Sequence, residues 1–196
     1  MAVTRFRIRA GLNLLFQRGE EAYVDSGFIL RCFIDESSIL DKRERAAYQL
    51  AKQLLFNLLQ QKVALMMSPL AFDEIWYTYI KLLYQKENGR DAWDARVLKQ
   101  NPGIISKYKQ KLEELQEKIF RYPHLKIIGV SHNSIRLACS TMLNCGLAPR
   151  DSVHFSSCCI EKAGVFITGD RDYRAIPQDY DGISLDYRIL IRSPVC

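Results

Sequence analysis

A chain of 196 residues, 48% of them hydrophobic, holds enough apolar material for the core of one domain and too little length for several. The 28 Lys and Arg outnumber the 22 Asp and Glu, giving a net charge of +6 and a pI near 9.0. That balance favours a polyanionic partner without specifying one. No apolar run approaches a membrane span, and the basic N-terminus lacks the apolar core and cleavage site of a signal peptide. None of the six cysteines forms a C-x-x-C pair, and the three histidines stand far from zinc spacing. The chain therefore reads as cytoplasmic, and free thiols in a reducing compartment are expected.

Residues 1–21 read as a basic appendage, and the domain proper is expected over 22–196. Ala22 to Asp25 is a short apolar run that ends in an acid and then Ser26-Gly27, the pattern of a buried strand turning sharply into a helix. Helical spacing of Ala46, Ala47, Leu50, Leu54, Leu55, Leu58 and Leu59 predicts a helix over Asp41 to Lys62. Val63 to Met67 is a second strand. Ser68-Pro69 is a good N-cap followed by a tolerated first-turn proline. The helix it opens runs to about Gln85 and is expected to bury Phe72, Ile75, Trp76, Tyr79 and Leu83.

Residues 86–121 read as a helical insertion or arm, with a charged helix over Lys107 to Arg121 and a thin apolar stripe at Leu112, Leu115 and Ile119. Leu125 to Val130 is a third strand. Asn133 to Asn144 is a helix, with Gly146 suited to its left-handed cap. Asp151 lies in the first turn of a further helix ending at Gly164. Val165 to Thr168 is a fourth strand leading to Gly169-Asp170, and Ile183 to Ile191 is a candidate fifth. Alternating strands and helices predict a mainly parallel sheet covered on both faces, with sites at the carboxyl ends of its strands.

That edge receives acids from separate segments: Asp25 and Asp170 after strands, Glu74 on the second turn of a helix, Asp151 on the first turn of another. Each has a bland alternative. Asp151 can serve the helix dipole, Glu74 can be a surface residue, and Asp170 can be a turn residue. Asp25 is harder to dismiss, because an acid beside a buried strand needs a partner or a cation. Together they form an oxygen-only donor set suited to Mg²⁺ or Mn²⁺, which can activate water and stabilise the leaving oxygen of a phosphodiester.

Four stretches carry a family resemblance. Val24-Asp25-Ser26-Gly27-Phe28-Ile29 resembles the opening strand and turn of the PIN family. Ser68-Pro69-Leu70-Ala71-Phe72-Asp73-Glu74-Ile75 is similar to its second motif, Leu147 to His154 to its third, and Thr168-Gly169-Asp170-Arg171-Asp172-Tyr173 to its fourth. They occur in the family's order and span roughly Tyr23 to Ile191. The resemblance implies a three-layer α/β/α sandwich with a central mainly parallel sheet. It also implies a Mg²⁺- or Mn²⁺-dependent endoribonuclease, as in VapC-type toxins of toxin–antitoxin pairs. By that resemblance Asp25, Glu74, Asp151 and Asp170 match the metal-binding acids and Asp172 a further one. Thr168 matches a bracing hydroxyl, Ser26 supports the site, and Asp73 competes with Glu74 for its place.

Arg150, Arg171 and Arg174 flank two motifs and are candidate phosphate contacts for RNA. His154, one turn beyond Asp151, reads as a packing histidine facing the sheet. Tyr77, Tyr79 and Tyr84 read as core or dimer contacts rather than base-stacking platforms. A toxin of this kind would have a small antitoxin covering its acidic site. The helix over 43–60 and the arm over 107–121 are the candidate docking or homodimer surfaces. The leading alternative is a catalytically inactive PIN-like scaffold that binds RNA or protein. A receiver-type phosphoacceptor, with Asp25 or Asp170 as its acceptor, is disfavoured for want of a suitably placed Lys after a late strand.

Overall fold

In the computed structural model the described residues are 19–35, 42–170 and 172–176. Most of the N-terminal appendage, the candidate fifth strand over 183–191, Arg171 and the side chain of Arg174 lie outside them. The elements run β1 (Glu21–Val24), α1 (Ser26–Phe33), α2 (Lys42–Gln60), β2 (Ala64–Met67), α3 (Pro69–Asn88), α4 (Val97–Gln100), α5 (Gly103–Lys107), α6 (Lys109–Phe120), β3 (Leu125–Ile127), α7 (His132–Cys145), α8 (Pro149–Ile160) and β4 (Val165–Ile167). Short 3-10 turns occupy Arg90–Ala92 and Asp172–Ala175.

The four strands form one parallel sheet in the order β3-β2-β1-β4. Side chains alternate faces along a strand, so each short apolar run serves both layers. Ala22, Val24, Leu65, Met67, Val165 and Ile167 face one core, built with α1, α2, α3 and α6. Tyr23, Met66 and Phe166 face the other, built with α8 and the end of α7. Both faces are thus covered, as an all-parallel sheet requires, and the architecture is the three-layer α/β/α sandwich expected. Phe28, Ile29, Leu54, Leu58, Ile75 and Ile119 are among the residues under 2% exposed in the first core. Each such side chain contributes about 1.5–3 kcal/mol through burial.

Several elements differ from the sequence expectation. The third strand is only Leu125–Ile127, at one edge of the described sheet, and is largely exposed. Trp76 is 40% exposed rather than buried, although it packs against Phe72. The charged helix is not a free arm: Leu115 and Ile119 of α6 enter the main core. Ile80, Val97, Ile104 and Tyr108 form a small core of their own between α3 and the inserted helices. Tyr77 and Tyr84 pack edge-on against Trp93, and Tyr79 is buried. Helix α8 ends at Ile160 rather than Gly164. It is buried around most of its circumference, which is why adjacent Cys158 and Cys159 are both inside. No helix among the described residues is long and apolar enough to cross a membrane.

Candidate metal centre

The strand order reverses at β1: β2 and β3 are added on one side, and β4 on the other. Helical connections leave such a switch point in opposite directions, which opens a crevice at the carboxyl ends of the strands. A cleft of about 540 Å³ lies there, and Asp25, Glu74, Asp151, Asp170 and Asp172 all line it. Four separate segments therefore bring five acids to one place.

Asp25 follows β1 and caps α1. Its Oδ1 accepts from the Phe28 N–H at 2.7 Å, satisfying one of the free donors of the helix start. Its Oδ2 accepts from the Thr168 hydroxyl. The register that pairs Val24 with Ile167 places these two residues side by side, and the Asp25 N–H donates to the Ile167 carbonyl at 3.1 Å. Thr168 Oγ1 also accepts from the Asp170 N–H at 2.9 Å, and Asp170 Oδ1 accepts from the Asp172 N–H at 2.9 Å. A chain of hydrogen bonds thus shapes the whole turn after β4. Asp25 is 7% exposed. Burial raises its pKa, opposed by the Thr168 and Phe28 hydrogen bonds and the nearby Arg31 charge.

Glu74 sits on the second turn of α3, after Ser68 in the N-cap position and Pro69 in the first turn. Ser68 makes no side-chain cap. Its hydroxyl lies instead 3.5 Å from His154 Nδ1. Glu74 Oε2 accepts from the Ser26 hydroxyl at 2.6 Å and lies 3.3 Å from His154 Nε2. Arg150 approaches Oε1 at 3.8 Å and pairs with Asp73 at 2.9 Å. Burial works against ionisation of Glu74, but the hydrogen bonds from His154 and Ser26 and the nearby Arg150 charge outweigh it. Its pKa falls below the usual carboxylate value. Asp73, which competes with Glu74 in the sequence, points to Arg150 and is not part of the cleft wall.

Asp151 lies in the first turn of α8 but is not its cap, a position held by Ala148. The Tyr173 hydroxyl reaches the Asp151 carbonyl at 3.3 Å and its carboxylate at 3.4 Å. Burial, then the charges of Asp170 and Glu74, push the Asp151 pKa up to about 6. One carboxylate oxygen each from Asp151, Asp170 and Asp172 lie within 4.8 Å of one another. Oxygens bound about 2.1 Å from an octahedral Mg²⁺ stand about 3 to 4.2 Å apart, close to the spacing of this group, so these acids could hold a hard divalent cation. Asp25 and Glu74 line the same cleft but stand outside that close group.

The cleft also holds a residue the motif pattern did not single out: Arg31, on α1, brings a guanidinium to its wall. Tyr173, the aromatic that ends the fourth motif, closes it beside Asp151. Arg31 carries no local sequence signal beyond two turns of helical spacing from Asp25. Arg150 sits in an ion-pair network with acids.

No family model matches this sequence, and no curated protein does. Among solved structures it is similar to a chain in the crystal structure of VapBC2 from Rickettsia felis bound to a DNA fragment from their promoter. The two are 16% identical, with a TM-score of 0.48, and the match covers 85% of this chain and 98% of that one.

Proposed function

We propose that the protein is a cytoplasmic divalent-metal-dependent endoribonuclease whose cleft holds Mg²⁺ or Mn²⁺ through Asp151, Asp170 and Asp172, with Asp25 and Glu74 completing the acidic wall. The observation that carries this reading is the convergence of those acids at the switch point, three of them within bridging distance of one cation. Asp151, whose pKa is raised to about 6 by burial and then by the charges of Asp170 and Glu74, is an acid that a bound cation would favour in its charged form. When bound, such an ion supplies activation of water and charge neutralisation at a phosphodiester. Thr168 holds Asp25 and the Asp170 backbone in register, and Ser26 holds Glu74. Arg31 is positioned to meet a substrate phosphate across the acids. The choice of RNA as substrate, and a small antitoxin as partner, rest on the four motifs and their order in the sequence.

The test is cleavage of labelled single-stranded RNA with Mn²⁺, Mg²⁺ or EDTA, beside Asp170→Asn and Asp25→Asn. Metal-dependent cutting, lost in both variants and leaving 5′-phosphate and 3′-hydroxyl ends, is the expected result, because water is the nucleophile. Products bearing a 2′,3′-cyclic phosphate would refute the mechanism. A folded protein that binds Mn²⁺ weakly or not at all and leaves RNA intact would favour the binding scaffold.

A further inference from the structure

Beneath the acidic cleft runs a line of polar side chains from four different elements. Tyr23 on β1, Ser68 before α3 and His154 on α8 are each 1% exposed or less. The Tyr23 hydroxyl lies 2.9 Å from His154 Nδ1, and His154 Nε2 lies 3.3 Å from Glu74 Oε2. Ser26, from α1, donates to that same oxygen at 2.6 Å. Buried polar groups of this kind persist only when their partners are supplied. The ring therefore does more than fill space between helix and sheet.

The partners also assign the ring's protons. A carboxylate can only accept, so the nitrogen facing Glu74 must carry hydrogen. Nδ1 faces two hydroxyls, Tyr23 and Ser68, either of which can donate to it. Stacking on Phe166 at 5.5 Å holds the Tyr23 ring and so keeps its hydroxyl oxygen within reach of Nδ1. With Oε2 of Glu74 bound twice from within the protein, Oε1 is the oxygen turned to Arg150.

We propose that His154 is a positioning residue of the metal site: it carries its proton on Nε2, accepts from Tyr23 at Nδ1, and fixes the Glu74 carboxylate for its role in the cleft. The proposal rests on the metal-dependent reading above. His154 lies three residues after Asp151, on an adjacent face of the same helix. Helix α8 thus supplies both a candidate ligand and the group that orients a second acid. Outer partners that orient metal-site side chains contribute about 10- to 100-fold to metal affinity or activity.

The test combines two readouts on the full chain. Mn²⁺ binding, followed by the loss of its free-ion paramagnetic signal, is compared for wild type, His154→Gln and His154→Leu. Glutamine can donate to Glu74 and accept from Tyr23, whereas leucine fills the space and does neither. The expected result is affinity weakened about tenfold or more in His154→Leu and largely restored in His154→Gln. Should His154→Leu not fold, Tyr23→Phe, which removes one hydroxyl, carries the same comparison. Nitrogen NMR of the histidine-labelled protein, with His154→Gln for assignment, is expected to show the Nε2-protonated ring. Folded His154→Leu with wild-type Mn²⁺ affinity, or a ring protonated on Nδ1 alone, would overturn the proposal. A wild-type protein that binds no Mn²⁺ refutes the metal reading itself, and the ring spectrum then decides the His154 contact by itself.

Discussion

Replacing Asp151 by Asn should stabilise the metal-free protein at alkaline pH. Asp151 has an ordinary carboxylate value of 3.8 when unfolded and one of about 6 in the fold, raised first by burial and then by Asp170 and Glu74. A group whose folded pKa is raised contributes stability below its unfolded pKa and loses it as pH rises through the folded one. Charging Asp151 therefore weakens the fold between about pH 4 and 6, and the penalty is complete by pH 8. Two pKa units correspond to about 3 kcal/mol in a fully buried setting. Asp151 is only half-buried, and solvent screening reduces this to about 1 kcal/mol. For a domain of this size that is about 2–4 °C in Tm. Asn has nearly the same shape and keeps an acceptor for Tyr173. Thermal unfolding in EDTA should show Asp151→Asn above wild type at pH 8 and level with it at pH 4. Excess Mn²⁺ at 100 times its Kd should then raise wild type by about 2.7 kcal/mol and the variant by much less. An equal gain at both pH values would show that shape, and not charge, governs the position. No gain at all would refute the crowding argument.

Thr168→Val should destabilise by about 1–3 kcal/mol, because it strips a partner from both the Asp25 carboxylate and the Asp170 N–H. The Thr168 hydrogen bond lowers the pKa of Asp25, so its loss raises that pKa further and the destabilisation should grow with pH. Urea unfolding at pH 4 and pH 8 checks both size and sign. Arg31→Gln should raise KM for RNA by about tenfold with kcat less affected, the effect of losing one charged hydrogen bond to phosphate; an unchanged KM removes Arg31 from the substrate path. Gly146, which closes α7 at φ 68°, has nothing within 4 Å of an added Cβ. Gly146→Ala should therefore cost only the left-handed backbone strain, about 1 kcal/mol by chemical denaturation, and leave cleavage untouched.

The layered fold was legible in the sequence because its signals are local. Apolar runs of β1, β2 and β4, the Ser68-Pro69 helix start and the Gly146 helix stop each depend on a few neighbouring residues. The acids could be named one by one for the same reason: Asp25 and Asp170 follow strands, and Glu74 and Asp151 lie in the opening turns of helices. Edge-strand length was not legible, since apolar residues continue past Ile127 to Ile128 and Val130 and only pairing with β2 decides where the strand stops. Nor was the burial of α8 on nearly all sides, or the burial of α6 against the main core, because a thin apolar stripe does not say what covers it.

What only the tertiary structure decided is the division of labour among the acids. Asp25 spends one oxygen on the start of α1 and the other on Thr168, a partner 143 residues away in sequence. Glu74 is held by Ser26 and His154, while Asp172 joins Asp151 and Asp170 in the close group. Such contacts cross between segments, and hydrogen-bond distances and carboxylate repulsion act through space rather than along the chain. By itself the sequence determined which acids stand at the ends and starts of the elements that meet at the switch point, and the three-dimensional packing determined which of their oxygens are taken up by hydrogen bonds within the protein.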